Sequence, residues 1–241
     1  MTSLAVILAA GVGRRLGDIS KQIPKGFLQL GEKPIIEESI DKLLSLNIEK
    51  IIIITGHLSH FYDDLTKTYK CIQTIKNPHY DQSGTLFSLF CAQKNIEGDF
   101  ILLESDLIYE SRAIEEIVNH PWQDVILVSG FTGMGGEVLV EAKDNFLINM
   151  SKDKRNLSNV IGEFVGISKI STESFQEMFR LTEKKISSTL QLDYETDGYV
   201  MLSKERSIFC HKVENLVWYE IDNEHHYNEA MNGVYPLLKD R

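Results

Sequence analysis

A mixed, mostly parallel sheet flanked by helices, an α/β architecture, is what the sequence predicts on two observations. Short continuous apolar runs recur: LAVIL at 4–8, IIIIT at 51–55, FILLE at 100–104 and VILVS at 125–129. Such runs are typical of strands buried on both faces. Segments with helical spacing lie between them, and that alternation builds parallel strands joined by crossover helices. The size agrees: 241 residues, 43% hydrophobic and 25% charged, can enclose one sizeable core. No repeat or linker interrupts the chain, so a single domain over 1–241 is expected.

The elements follow in order. The run at 4–8 is the first strand, and the glycine-arginine loop AAGVGRRLG at 9–17 leaves it at once. Pro34 opens a helix whose apolar face carries Ile36, Ile40, Leu43 and Leu44. The strand at 51–55 leads through Gly56-His57 into a helix, and 71–76 is a further strand. Asp81 to Thr85 breaks the pattern and caps a helix running to Lys94. The strand at 100–104 ends at Ser105-Asp106, 111–119 is helical and 125–129 is again a strand. The second half is less regular. Segments 137–141 and 146–150 form a hairpin pattern, 163–170, 208–213 and 217–221 are strand candidates, and helices are expected at 172–183, 189–204 and 224–235.

Charge and composition narrow the function. A net charge of −10 does not suit a sequence-independent grip on duplex DNA, so no nucleic-acid partner is expected. No apolar run approaches the roughly 20 residues that cross a bilayer, so no membrane partner is expected either. The start, Met1-Thr2-Ser3-Leu4, carries no basic stretch, and Cys71, Cys91 and Cys210 form no CxxC pair. A cytoplasmic chain without disulfides or structural zinc is the expectation.

Gly11 and Gly13 let backbone N–H groups approach an anion closely after the first strand. The P-loop pattern is absent, and the dinucleotide pattern GxGxxG fails at Leu16. Arg14 and Arg15 follow instead, with Pro24-Lys25 beyond. Two guanidiniums and an ammonium beside one glycine turn suit a triphosphate. A tight turn with solvated basic residues is the alternative.

The stretch Leu8-Ala9-Ala10-Gly11-x-Gly13-x-Arg15-Leu16, followed by Pro24-Lys25, resembles the signature of nucleotidyltransferases that activate sugar phosphates and choline phosphate. Gly31-x-Lys33-Pro34-Ile35-Ile36, Leu103-Glu104-Ser105-Asp106 and Tyr219-Glu220-Ile221-Asp222 extend the likeness along the chain. Within that group the chain resembles 2-aminoethylphosphonate cytidylyltransferases. PKGFL at 24–28, LLESDLIY at 102–109, GEFVGI at 162–167, LDYE at 192–195 and WYEIDNE at 218–224 carry that resemblance. It implies a Rossmann-like nucleotidyltransferase fold, with a nucleotide-binding half over about 1–130 and an acceptor-binding half over about 131–241. The implied reaction is transfer of CMP from CTP to 2-aminoethylphosphonate with release of pyrophosphate, a step of phosphonate biosynthesis assisted by Mg²⁺.

Roles for individual residues follow from the resemblance. Lys25 would bridge the α-phosphate and the incoming phosphonate, and Arg15 would hold the outer phosphates, with Arg14 beside it. Leu8, Ala10, Gly11, Gly13 and Ser105 would line the nucleotide site. Gln82, Ser83, Gly84 and Ser88 would meet the cytosine edge, with helix capping, which Ser83 or Thr85 would serve, as the alternative for each. Asp106 and Asp222 end apolar strands, where open α/β sheets place ligands, and would hold Mg²⁺. Capping of the next helix is the alternative for both, and for Asp222 in particular, which precedes the helix expected at 224–235. Ser129 would touch the phosphonate, and Glu137, Glu163, Asp193 and Tyr194 would face the acceptor. A primary ammonium needs carboxylates or carbonyls, whereas a quaternary one needs an aromatic cage, and the acceptor segments are richer in acids than in aromatics. Phosphocholine, a sugar 1-phosphate, or a catalytically silent nucleotide-binding module are the competing readings. The sequence leaves a homodimer open.

Overall fold

The computed structural model describes residues 2–133 and 135–238. The chain opens with β1 (Leu4–Ala9), a short turn of helix α1 (Ile19–Gln22), and α2 (Ile35–Ser45). It continues with β2 (Lys50–Thr55), α3 (Ser59–Thr68), β3 (Ile72–Lys76), α4 (Thr85–Cys91), β4 (Phe100–Glu104), β5 (Leu107–Tyr109), α5 (Ser111–Val118) and β6 (Val125–Ser129). The second half holds β7 (Leu139–Lys143), β8 (Phe146–Ser151), β9 (Val160–Ile170), α6 (Thr172–Ile186), α7 (Val200–Leu202), β10 (Phe209–Val213), β11 (Trp218–Glu220), α8 (Glu224–Glu229) and α9 (Tyr235–Leu238).

One nine-stranded sheet runs in the order β3-β2-β1-β4-β9-β6-β10-β8-β7. The pairs β1–β2, β1–β4, β2–β3 and β6–β10 are parallel, as the alternation predicts. β9 enters the middle antiparallel, pairing with β4 along one edge and β6 along the other. Beyond β4, the start of β9 also pairs with β7, and the β7–β8 hairpin returns to β10 through the single pair Phe209–Phe146. β5 and β11 form a separate antiparallel ribbon, in which Tyr219 faces Ile108.

Strand alternation divides the core between the two faces of the sheet. Val6, Leu8 and Leu102 pack with Leu86 and Leu89 of α4 and Phe175 of α6. Ala5, Ile7 and Leu103 pack with Ile36 and Ile40 of α2 and Ile114 of α5. Leu44 does not join them and is exposed, because eight residues of helix turn it about 80° away from Ile36. A third cluster joins Leu16 and Leu28 of the early loops to Tyr219 and Ile221. It pins the glycine-arginine loop to the C-terminal segment.

Several expected elements differ in extent. The helix expected over 189–204 begins with a π-helical turn at Tyr194–Tyr199 before α7. The strand expected over 217–221 is short and leaves the main sheet to pair with β5. The last helix continues from α8 through a π turn at Ala230–Val234 into α9. Among the described residues, no helix is long and apolar enough to cross a membrane.

Candidate active site

The parallel strands β1 and β4 end side by side, and Ser105 N–H donates to the Leu8 carbonyl across the gap at 3.0 Å. A cleft of about 410 Å³ opens above them. Leu8, Ala10, Gly11, Gly13, Arg14, Arg15, Lys25, Ser83, Gly84, Ser88, Ser105, Asp106, Asp193 and Asp222 all line it. Most of the expected site residues therefore meet in one place, drawn from both halves of the chain.

The glycine loop is shaped by its sequence. Gly13 adopts φ +66°, a left-handed conformation that other residues adopt at a cost. Its carbonyl accepts the Leu16 N–H at 2.9 Å, and Leu16 drops into the third cluster at 2% exposure. A buried leucine thus stands where a dinucleotide site would need glycine. The two arginines on the same turn are left at the rim of the cleft.

Lys25 follows the extended Pro24 and lies at the centre of the charges. Its ammonium donates to Asp106 Oδ2 at 2.6 Å and to Asp222 Oδ1 at 2.7 Å. Arg15 pairs with the same Asp222 oxygen at 2.8 Å. Burial favours the neutral amine, but the two carboxylates outweigh it and hold Lys25 above its ordinary range. Burial likewise pushes Asp222 up, while Lys25, Arg15 and Lys152 together hold it below the usual carboxylate range. Asp222 does not cap α8: the Asn223 side chain does so, accepting the His226 N–H.

Two acids not singled out from the sequence complete this charge cluster. Glu104, Asp106 and Glu220 each present a carboxylate oxygen, and these lie within 4.8 Å of one another. Burial, then repulsion from Glu195, raises Glu104 well above its ordinary value. Burial, then repulsion from Asp106 and Asp222, pushes Glu220 up to about 8. Several crowded carboxylate oxygens form the hard donor set that a divalent cation such as Mg²⁺ takes, so these residues fit one. The signal was local: Glu104-Ser105-Asp106 and Glu220-Ile221-Asp222 repeat the same E-x-D pattern. Asp106 is grouped with Glu104 and Glu220, and Lys25 links it to Asp222, which also pairs with Arg15.

The segment before α4 forms another wall. Asn77 is fully buried and donates through its amide nitrogen to Ser83 Oγ at 2.8 Å and Ser88 Oγ at 2.9 Å. Gly84 N–H donates to the Leu190 carbonyl at 2.7 Å, and a Cβ on Gly84 would come 2.2 Å from the Leu192 oxygen. Only glycine allows that approach, which brings 190–195 against the segment. Gln82 is exposed and outside the cleft, its carbonyl accepting from the Gln191 side chain. Thr85, Lys152, Gln191 and Glu195 line the cleft as well; nothing in the sequence singles out Lys152 or Gln191, whereas Glu195 stands in the LDYE stretch and Thr85 at an expected helix cap. Burial, then repulsion from Asp193, pushes Glu195 up to about 7.

Four expected acceptor residues lie outside the cleft lining. Tyr194 is fully buried behind it, and its hydroxyl donates to Glu104 Oε1 at 2.9 Å. Ser129 is buried, accepts the Trp218 indole N–H at 2.8 Å and donates to the Gly130 carbonyl. Glu163 accepts from the N–H and hydroxyl of Thr132 at 2.9 and 2.6 Å. Glu137 accepts from the Gly135 N–H. His57 is tied to the Ser20 carbonyl, outside the cleft lining.

Comparison with known proteins agrees with this architecture. Residues 5–153 match the MobA-like NTP transferase domain. The bifunctional protein GlmU of Methanococcus aeolicus is 30% identical over 239 residues, covering 98% of this chain but 55% of that relative. The chain thus spans about half the length of that protein. Choline-phosphate cytidylyltransferase of Streptococcus pneumoniae is 23% identical, covering 93% of this chain and 95% of the relative. 2-Aminoethylphosphonate cytidylyltransferase of Lancefieldella rimae is 25% identical over 142 residues, 58% of this chain and 57% of that one. Among solved structures, the inositol-1-phosphate CTP transferase from T. maritima superposes with a TM-score of 0.81 at 16% identity, covering 99% of this chain and 95% of that one. The fold is thus the Rossmann-like nucleotidyltransferase fold, and the chain belongs to the family of MobA-like NTP transferase domains.

Proposed function

We propose that the chain transfers CMP from CTP to 2-aminoethylphosphonate, giving CMP-2-aminoethylphosphonate and pyrophosphate with Mg²⁺. The observation that carries this reading is one cleft lined both by the basic glycine turn and by the acids of segment 190–195. Gly13, Arg14, Arg15 and Lys25 supply the basic groups, and Asp193 and Glu195 the carboxylates. Among the described residues, the aromatics in the lining are Tyr62 and Tyr80, too few to enclose a quaternary ammonium as an aromatic cage does. Carboxylates suit a primary ammonium. The likeness to the Lancefieldella rimae protein supports the same acceptor, and the Streptococcus pneumoniae relative supports phosphocholine as the rival.

The roles follow from charge and position. The backbone of Gly11 and Gly13, with Arg14 and Arg15, would bind the triphosphate in the nucleotide half, about 1–130. Lys25 would lie at the α-phosphate, where the acceptor arrives. Glu104, Asp106, Glu220 and Asp222 would hold Mg²⁺, which when bound supplies charge neutralisation for the leaving pyrophosphate. Lys152, on the acceptor half, lies within electrostatic reach of Glu195, Glu220 and Asp222 and would steady the phosphonate. A phosphonate oxygen attacks the α-phosphorus, the bond to the β-phosphate bridging oxygen breaks, and pyrophosphate departs. No general base is required, because a phosphate-type second pKa lies near 6 and much of the acceptor is already dianionic. Positioning and electrostatics then supply the rate.

Pyrophosphate release from CTP and Mg²⁺ with either 2-aminoethylphosphonate or phosphocholine tests the reading. A kcat/KM at least tenfold higher for 2-aminoethylphosphonate is expected. Preference for phosphocholine would overturn the acceptor assignment and keep the triphosphate turn.

A further inference from the structure

Thr85 opens α4 beside the segment expected to read the nucleotide base, yet its hydroxyl is directed at the acids of segment 190–195. Its Oγ1 accepts the Tyr194 N–H at 3.0 Å. The same oxygen lies 3.1 Å from Glu195 Oε2 and 3.3 Å from Asp193 Oδ1. The Thr85 N–H donates to that Asp193 oxygen as well, at 3.3 Å. One residue therefore touches both carboxylates and the main chain between them.

We propose that Thr85 is a positioning residue for the acceptor, its hydroxyl and N–H aiming Asp193 and Glu195 at the acceptor's ammonium. The inference rests on the functional reading above. A hydroxyl carries one proton and two lone pairs. One lone pair takes the Tyr194 N–H, and the proton serves whichever carboxylate is nearer, Glu195 by distance. Asp193 keeps the backbone N–H. Each acid thus retains lone pairs for the cleft while its rotation is limited at one end. The β-branch stiffens χ1 of the threonine itself. The main chain behind it is held too: Gly84 and Leu86 N–H groups donate to the carbonyls of Leu190 and Leu192, and the Asp193 N–H donates to Asp197. Without this bracing, an ammonium would have to order two free carboxylates as it binds, at a cost in affinity.

The placement gives an uncommon split. Thr85 lies in the half that faces the nucleotide, but its loss should be felt by the acceptor. Thr85→Val removes the hydroxyl at nearly constant shape. Its KM for 2-aminoethylphosphonate should rise about tenfold, in keeping with one lost hydrogen bond to a charged group. Its KM for CTP and its kcat should stay within about threefold by the same reasoning. Thr85→Ser should bring the acceptor KM back to near the wild-type value. The valine also leaves the Tyr194 N–H without an acceptor, so Thr85→Ala, which admits a water there, is the second variant should the first not fold.

An equal rise in both KM values, or an unchanged acceptor KM, would overturn the role of Thr85 while leaving the substrate reading intact. Failure of serine to rescue would do the same. No turnover of 2-aminoethylphosphonate by the wild-type chain would overturn the substrate reading and this inference with it.

Discussion

Lys25 is bound to carboxylates 81 and 197 positions away in the chain, which makes one side chain the junction of three distant segments. Its charge is not replaceable by shape alone. Lys25→Met keeps most of the stem but leaves Asp106 and Asp222 facing one another without their shared cation. Loss of a charge aimed at a transition state typically costs about 10²–10³ in rate. The expected outcome is a fall in kcat of at least about 100-fold on that scale, with secondary structure preserved by circular dichroism. A variant that turns over at the wild-type rate would remove Lys25 from the chemistry. The same residue scale explains what was legible. Lys25, Arg15 and Asp106 were visible because glycine turns and strand ends are local features. Gln191 and Lys152 were not, because nothing in their neighbourhoods marks them: the fold brings them in. Ser129 and Glu163 carry suitable chemistry, but Trp218 and Thr132 already occupy them.

At the scale of elements, the join between the start of α4 and the segment 190–195 is the most exacting contact in the cleft. It is backbone against backbone, so no side-chain rotation relieves it. Gly84→Ala would drive its Cβ to 2.2 Å from the Leu192 oxygen. Overpacking of that kind costs roughly 1–3 kcal/mol, and the shift should push Asp193 away from Thr85. A lower thermal midpoint together with a raised acceptor KM is expected. A variant with unaltered midpoint and kinetics would show that the two segments move apart freely. Elements of the first half lie close to their expected bounds, because buried strands and amphipathic helices announce themselves by period. β9 was harder to delimit. Its first residues pair with the β7 strand rather than with β4 or with nothing, and no local pattern encodes a change of partner along one strand.

For the molecule as a whole, the buried acids set a stability cost that depends on pH. The folded value of Glu195, about 7, stands above its ordinary 4.5. Below the ordinary value the group is neutral in both states and costs nothing. As pH rises from there through the folded value, the native state holds a proton that the unfolded chain has lost, and stability falls. The full cost is present above about 7. Glu195→Gln should therefore be more stable than wild type at pH 8, by up to about 3 kcal/mol. The difference should vanish near pH 4. Urea unfolding at the two pH values checks it, and an equal gain at both would refute the ionic origin. The sequence suggests a division near residue 130, but the sheet is not split there. Strands from both halves alternate in the middle of one sheet.

That interleaving bears on the order of synthesis. β9 lies between β4 and β6, yet it leaves the ribosome after both. Until it arrives, the facing edges of FILLE and VILVS are open to any passing chain. Both strands are apolar runs of the sort that aggregate when unpaired. Those facing edges stay open until residues 160–170 are available, and the far edge of VILVS stays open until β10 follows at 209–213.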